Sequence, residues 1–370
     1  MKLNLGLIFG GRSGEHEVSL QSARSIANAV DRNKYNLLLL PIDKNGVWFL
    51  ADENDFLNNA DDPATISLKV NPQQQVAVIP GKKGNTILRL SDSKELGSLD
   101  VVFPIIHGTF GEDGALQGYL AILGIPCVGA DILGSAAGMD KWIAKKLMIE
   151  AGIPVADYLL AEDNTDIDRL VSEASDKLGF PVFVKPSCSG SSVGVYKSSN
   201  TDELKKDIGK ALKFDRHVLI EEAVKGREIE CSILGNDDLI ASVPGEVVPQ
   251  HSFYSYEAKY IDVNGARLDL PAKIPGETVK RVQEMAKKTY RALSCSGMAR
   301  VDMFLKEDGS LIMNEINTLP GFTKISMYPK LLDLTGIPFS ELIDRLVNLA
   351  TERHKQQEQY LRNVLSVKAF

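Results

Sequence analysis

The sequence predicts an α/β protein that begins with an open parallel sheet and takes on α+β character in its C-terminal part. Three short apolar runs, at 3–9, 36–42 and 99–108, have the continuous hydrophobicity of buried parallel strands. After the first run, apolar residues at 20, 23, 26, 27 and 30 have helical spacing, and Ser19 is the expected N-cap. Strands that alternate with helices favour a layered α/β architecture.

Length and composition narrow the class of protein. The chain has 370 residues, which favours more than one domain. Its net charge of -7 argues against a nucleic-acid partner, and no apolar run approaches the roughly 18 residues of a membrane span. The four cysteines are widely scattered, so we expect free thiols and a reducing, cytoplasmic location.

Changes in composition divide the chain into three predicted domains, 1–130, 131–222 and 223–370. The first contains a polar, turn-rich insertion at 43–98 that we interpret as hairpins. We expect one helix over 131–152, a lid in the polar segment 250–270, and fraying of the polar tail beyond about residue 354.

A pair of strands near the C-terminus carries carboxylates among apolar residues. In "NEIN", Glu315 and Asn317 are two residues apart and therefore share one face of a strand. Asp302 lies on the preceding strand, which an Asp-Gly turn connects to this one. Three oxygen donors on one face are typical of a Mg²⁺ site. The alternative is an edge hairpin facing water, but the apolar flanks and the tight loop at Gly321 favour a site.

A Gly/Ser loop at 187–194 lies between two predicted strands. Its hydroxyls and backbone N–H groups, including those of Ser192, can surround phosphate oxygens, although the Walker A pattern is absent. Lys185 precedes the loop and Lys141 begins a helix, so both are candidates to neutralise phosphate. The alternatives are an ordinary hairpin tip and a solvated helix lysine.

The stretch 218–230 crosses from the second to the third predicted domain. An apolar strand that leads into a short linker suits an adenine pocket with a carboxylate for the ribose. Glu221 and Glu228 are the candidates, and ordinary surface acids are the alternative.

Eight stretches in order span nearly the whole chain: "FGGRSGEHEVS", "FPIIHGTFGEDGALQG", "MDK", "VKPSCSGSSVG", "VLIEEAVKGREIE", "FYSYEAKY", "ARVDMF" and "NEINTLPGFTKISMYPKL". Together they resemble the ATP-grasp superfamily and, within it, the D-alanine–D-alanine ligase family. The resemblance implies a three-domain ATP-grasp fold, ATP, two Mg²⁺ ions with Mn²⁺ as an alternative, and a homodimer. It also implies ligation of two D-alanine molecules through a D-alanyl phosphate, for peptidoglycan and cell-wall synthesis.

The resemblance also implies a role for each motif residue. A small zwitterion needs a carboxylate for its ammonium group, and Glu15 and His107 follow strands of the first sheet, where such folds bind ligands. The implied roles are as follows: Lys141, Lys185, Ser192, Glu221, Val224, Glu228 and Lys259 for ATP; Arg300 and Gly321 for the oxyanion; Glu15, Ser191 and Tyr260 for closure; Ser326, Met327 and again Lys259 for the second D-alanine; and Asp302, Glu315 and Asn317 for metal.

Three other functions compete with this one. The nearest is a D-alanine–D-lactate ligase or another ATP-grasp carboxylate–amine ligase, although Tyr260 favours an amine nucleophile by the same resemblance. A nucleotide sensor without turnover ranks lower because the sequence has a suitable residue at every position to which the resemblance assigns a chemical role. A dinucleotide oxidoreductase fails because Phe9 stands where the Gly-rich fingerprint needs its first glycine.

Overall fold

A computed structural model describes residues 2–81, 84–249, 266–323 and 325–367. Within them, the strands are β1 Leu3–Gly10, β2 Tyr35–Ile42, β3 Leu57–Asn58, β4 Ser67–Leu68, β5 Val76–Gly81, β6 Gly84–Arg89, β7 Lys94–Gly97, β8 Val101–Ile105, β9 Tyr158–Glu162, β10 Val182–Pro186, β11 Tyr196–Ser198, β12 His217–Glu222, β13 Arg227–Gly235, β14 Ile240–Ala241, β15 Gly245–Pro249, β16 Ala266–Asp269, β17 Gly297–Leu305 and β18 Leu311–Asn317. The helices are α1 His16–Ala29, α2 Ala115–Ile122, α3 Ile132–Met139, α4 Lys141–Glu150, α5 Ile167–Lys177, α6 Thr201–Ala211, α7 Gly276–Ala292, α8 Met327–Leu334 and α9 Phe339–Val367.

The strands form three main sheets that follow one another along the chain. The first has the order β2-β1-β8 and is parallel, as predicted. The second, β11-β10-β12-β9, and the third, β16-β15-β13-β17-β18 with β14 beside β13, are antiparallel. The predicted insertion of hairpins is also present, as the pairs β3-β4 and β5-β6-β7.

Helix α1 begins one turn earlier than predicted. Ser19 lies inside the helix and does not cap it, because its hydroxyl donates to the carbonyl of Ile105 and accepts from the N–H of Gly10 at 2.7 Å. Glu15 occupies the N-cap position instead. The first helical turn therefore places Glu15 close to the end of β1.

The predicted single helix over 131–152 is two helices. Asp140 has an extended backbone, and its carboxylate accepts the N–H groups of Trp142 at 3.0 Å and Ile143 at 3.1 Å. A side chain that satisfies the first amides of a helix is an N-cap, so the chain restarts as α4 at Lys141.

The tail prediction was also wrong, because α9 continues to Val367 where we expected fraying from about 354. The residues from 355 to 363 are mostly Lys, Gln, Glu and Arg. These residues have high intrinsic helix propensity, which favours continuation of the helix although this part is mostly exposed.

Packing crosses the three predicted domains. Ala144 and Met148 of α4 join the core between α7 and the third sheet, although they belong to the predicted second domain. Leu342 and Leu346 of α9 join the core of the first sheet. The domain division at 130 and 222 therefore stays a prediction. No helix in the described part of the chain is long and apolar enough to cross a membrane.

Candidate active site

The third sheet presents one apolar face and one charged face. Along β17, Val301 and Met303 point to the core against α7, so Arg300 and Asp302 point the opposite way. In the strand register, Asp302 lies opposite Glu230 of β13 and Glu315 of β18. Arg300 lies opposite Asn317. The register between β17 and β18 shifts between Asp302 and Met303, so Glu315 pairs with Asp302 although Met313, two residues earlier, packs in the core. This register shift, together with strand alternation, brings the proposed metal trio onto one face.

Asp302 is buried and bonded on both oxygens. Arg300 donates from Nε at 2.8 Å and from Nη2 at 2.7 Å, and the amide of Asn317 donates to Oδ2 at 3.0 Å. Arg300 also lies 2.9 Å from Glu230 Oε2. Burial alone would lower the pKa of Arg300, but the charges of Asp302 and Glu230 outweigh it and raise that pKa above its ordinary value. Arg300 is therefore a fixed cation on this face.

The donor set fits a hard cation. Asp302 and Glu315 are direct cross-strand neighbours, a relation that brings side chains within about 5.5 Å at their Cβ atoms, and Asn317 already contacts Asp302. Carboxylate and amide oxygens are the ligands that Mg²⁺ prefers. Among the described residues, no three His, Cys, Asp or Glu side chains form a metal cluster, so these two carboxylates and one amide remain the candidates.

The second sheet forms another charged surface. Val184 and Ile220 pack into the core that includes α5 and α6, which directs Lys185 and Glu221 to the other face. Lys185 Nζ lies 2.6 Å from Glu221 Oε2, and Lys145 Nζ of α4 lies 3.3 Å from Glu221 Oε1. Burial alone would raise the pKa of Glu221, but the two lysines outweigh it and lower the pKa to about 2.

Lys141 connects the second and third sheets. Its Nζ donates to the carbonyl of Ser189 in the Gly/Ser loop at 2.5 Å and lies 3.9 Å from Glu315 Oε2. In the same loop Ser191 and Ser192 both have positive φ, at 49° and 60°. Lys141 thus bridges the Gly/Ser loop and the Glu315 carboxylate of the third sheet.

The first sheet contributes Glu15 and His107. Ser191 donates a hydrogen bond to Glu15 Oε1, so the Gly/Ser loop contacts the start of α1. His107 is buried just after β8, with Nδ1 3.1 Å from the carbonyl of Leu319 and Nε2 3.1 Å from Ser22 Oγ. Burial would lower the pKa of His107, but the neighbouring Glu112 carboxylate outweighs it and raises that pKa.

The loop before α8 carries the remaining candidates. A Cβ on Gly321 would lie 2.7 Å from Ser326 Oγ, so any larger residue here would require the Ser326 hydroxyl to move. Ser326 Oγ accepts the N–H of Thr323 at 3.0 Å, and Met327 is the first residue of α8.

The other predicted residues divide into two groups. Val224 and Glu228 lie where the chain passes from β12 to β13, as the sequence predicted, and Val224 is half-buried. Lys259, Tyr260 and residues 250–265 of the predicted lid, 250–270, lie outside the described residues. The described end of this segment forms β16, paired with β15.

Sequence reasoning missed three charged side chains in these clusters. Lys145 follows Lys141 by one helical turn, and Glu230 follows Glu228 by two residues on a strand. Glu112 follows the strand that ends near His107 and lies 3.6 Å from it. The spacing of the first two was visible in the sequence, because residues at i+4 on a helix and i+2 on a strand share a face.

Comparison with known proteins agrees with this architecture. A family model described as the D-ala D-ala ligase N-terminus matches residues 4–130, and one described as the D-ala D-ala ligase C-terminus matches residues 147–348. The D-alanine–D-alanine ligase of Oceanobacillus iheyensis is 50% identical over 97% of this chain and 98% of the relative. D-alanine–D-alanine ligase A of Salmonella typhimurium is 47% identical over 95% and 97%.

Solved structures give the same result. The D-alanine-D-alanine ligase from Coxiella burnetii is 34% identical with a TM-score of 0.86, over 100% of this chain and 99% of the other. The VanG D-Ala:D-Ser ligase from Enterococcus faecalis is 35% identical with a TM-score of 0.82, over 95% and 100%. The fold is therefore that of the ATP-grasp ligases, which confirms the predicted fold class. The chain belongs to the D-alanine–D-alanine ligase family.

Proposed function

We propose that this enzyme joins two D-alanine molecules and converts ATP to ADP and phosphate. A carboxylate oxygen of the first D-alanine attacks the γ-phosphorus, and ADP leaves. The amine of the second attacks the resulting acyl phosphate, loses a proton, and expels phosphate. The observation that carries this proposal is the charged face of the third sheet, where Arg300, Asp302 and Glu315 adjoin Lys141 and the Gly/Ser loop.

ATP would lie between the second and third sheets. Lys141 and Lys185 would neutralise phosphate charge, and the backbone of the loop at Ser192 would donate hydrogen bonds to phosphate oxygens. Adenine and ribose would occupy the crossing from β12 to β13, near Glu221, Val224 and Glu228, and Lys259 belongs to the same proposed set. The lysine pair at Glu221 supports this placement, since it supplies buried positive charge.

We assign Asp302, Glu315 and Asn317 to two Mg²⁺ ions, with Mn²⁺ as the alternative. The metal, when bound, would screen the triphosphate and the group in transfer. Asp302 now holds Arg300 and Asn317, so its carboxylate also orients these two neighbours.

The acyl group would lie between Arg300 and the Gly321 backbone. A guanidinium and an N–H group aimed at a developing oxyanion are worth about 3 kcal/mol each in other enzymes. Glu15 and His107 would hold the ammonium end of the first D-alanine. Ser326 and the N-terminus of α8 at Met327 would hold the carboxylate of the second, since helix N-termini attract anions.

The remaining parts of the proposal concern closure of the active site, the use of the dipeptide, and the location and assembly of the protein. Ser191, bonded to Glu15, and Tyr260 would close the site against water, which would otherwise hydrolyse the acyl phosphate. The substrates are small molecules, and we infer peptidoglycan precursor synthesis as the use of the dipeptide. The cytoplasm and a homodimer are our proposals for location and assembly; the free state of all four cysteines supports a reducing compartment.

A coupled assay of ADP release tests the activity. With ATP and Mg²⁺, D-alanine should give ADP and a dipeptide, whereas L-alanine should give neither. D-lactate and D-serine, each added beside D-alanine, test the rival nucleophiles by mass spectrometry of the product. Exclusive formation of a depsipeptide, or ADP binding without turnover on any amino acid, would contradict the proposal.

A further inference from the structure

Lys145 is a buried cation that the proposed reaction does not use. It lies on α4, one helical turn after Lys141, and only 1% of its surface is exposed. Its Nζ donates to the carbonyl of Ala156 at 3.3 Å and lies 5.5 Å from the ring centre of Tyr158. Lysine is almost never buried to this extent unless a charge partner holds it, and the partner here is Glu221.

Glu221 is shared between two lysines, one on each carboxylate oxygen. Lys185 lies 2.6 Å from Oε2 and Lys145 lies 3.3 Å from Oε1. The cluster therefore contains two positive charges and one negative charge, a net charge of +1. Without Lys145 it would contain one buried, neutral ion pair, in which Glu221 would compete with any anion for Lys185.

We propose that Lys145 is a positioning residue for nucleotide phosphate: it compensates Glu221, so that the positive charge of Lys185 stays available to the phosphates. This inference rests on the proposed role of Lys185 in binding ATP. Lys145 itself touches no phosphate in this arrangement, because Glu221 lies between the two lysines.

The test separates phosphate binding from binding of the nucleoside. Isothermal titration of the full chain without D-alanine gives dissociation constants for ADP and for adenosine. The dissociation constant for adenosine divided by that for ADP measures the attraction for phosphate, and a higher ratio means a stronger attraction. Lys145→Met should lower this ratio about tenfold, the effect of weakening one charge-assisted hydrogen bond. Lys146→Met, the exposed neighbour on the same helix, should leave the ratio unchanged.

A second variant guards against simple misfolding and distinguishes Lys145 from a direct phosphate ligand. Glu221→Gln removes the competing anion, so Lys145→Met added to Glu221→Gln should have little further effect on the ratio. Adenosine and ADP weakened equally by Lys145→Met would mean a merely structural role and would overturn the inference. A further loss of the ratio in the double variant would do the same.

The proposed function has its own readout in this experiment. Lys185→Met should reduce the preference for ADP over adenosine. If it does not, the role of Lys185 in ATP binding fails, and the inference about Lys145 fails with it. If Lys185→Met lowers the ratio and Lys145→Met does not, only the inference is wrong.

Discussion

Asp302 is the residue at which the proposed metal site and the proposed oxyanion site meet. It accepts two hydrogen bonds from Arg300 and one from Asn317, and it lies opposite Glu315. We expect Asp302→Asn to lower kcat by at least about 100-fold and to weaken Mn²⁺ binding, because the change removes a charged ligand and loosens Arg300. Electron paramagnetic resonance of bound Mn²⁺ and steady-state kinetics measure the two effects.

The hairpin that carries Asp302 also supplies the control for this variant. Asp308 lies in the turn between β17 and β18, where its carboxylate accepts from the N–H of Ser310 at 2.8 Å. Asp308→Asn makes the same chemical change on the same hairpin and should leave Mn²⁺ binding intact. Equal Mn²⁺ affinity in the Asp302→Asn variant and the wild type would rule out this metal assignment.

Glu221 makes stability depend on pH. Its pKa falls from an ordinary 4.5 to about 2 in the folded chain, so its contribution is fully present above pH 4.5 and is lost as pH falls from 4.5 towards 2. The shift corresponds to at most about 3 kcal/mol. Urea unfolding between pH 7 and pH 3 should therefore show a steeper acid loss of stability for the wild type than for Glu221→Gln. Parallel curves for the two proteins would contradict this prediction.

At the scale of elements, the N-terminal half of helix α9 packs against the protein, whereas its C-terminal half is mostly exposed. Arg353 donates to the carbonyl of Gly129 at 2.6 Å and to that of Cys127 at 2.7 Å, and it also bonds Ser296. Arg353→Ala should destabilise the protein by about 3 kcal/mol, since buried carbonyls lose their donor. Truncation after Gln356 removes mostly exposed residues and should cost no more than about 0.5 kcal/mol.

Thermal unfolding of the two α9 variants measures the contrast. The truncated chain should melt close to the wild type and retain ADP release, while Arg353→Ala should melt several degrees lower. A truncated chain less stable than Arg353→Ala would show that the exposed half of the helix has a structural role.

The secondary-structure elements also show which parts of the proposed site could be predicted from the sequence. The strand period predicted that Glu315 and Asn317 share a face, because alternation on a strand is local, and the Asp-Gly turn predicted that Asp302 comes alongside. The register shift beside Met313 was not predicted. The helix start at Lys141 was predicted, but its separation from a preceding helix by the cap at Asp140 was not, because apolar residues continue on both sides and the capping bonds depend on backbone geometry at a single residue. The pairing of Lys145 with Glu221 joins a helix to a strand 76 positions later, and no local pattern encodes such a contact.

For the whole molecule, the described residues of the proposed site come from segments next to all three main sheets. His107, just after β8, lies 3.1 Å from the Leu319 carbonyl, and Ser22 of α1 accepts the N–H of Phe322 at 3.3 Å. Lys141 Nζ lies 3.9 Å from Glu315 Oε2. Each contact joins residues far apart in the sequence. The loop that carries Gly321 therefore contacts α1 and the segment after β8 as well as following β18.

The bond between Ser191 and Glu15 is a contact that joins the Gly/Ser loop to the start of α1, just after the first strand. Removing it should leave each sheet intact but loosen closure over the acyl phosphate. We expect Ser191→Ala to lower kcat about tenfold, with the melting temperature nearly unchanged and more ADP released per dipeptide formed, because water reaches the intermediate.

Ser25→Ala is the control. It removes a hydroxyl that donates within α1 to the Gln21 carbonyl, and it should change neither kcat nor the ratio of ADP to dipeptide. The ratio of ADP to dipeptide decides the matter, since a structural defect would slow both products equally, and a ratio that stays at one in Ser191→Ala would show that this bond does not protect the intermediate.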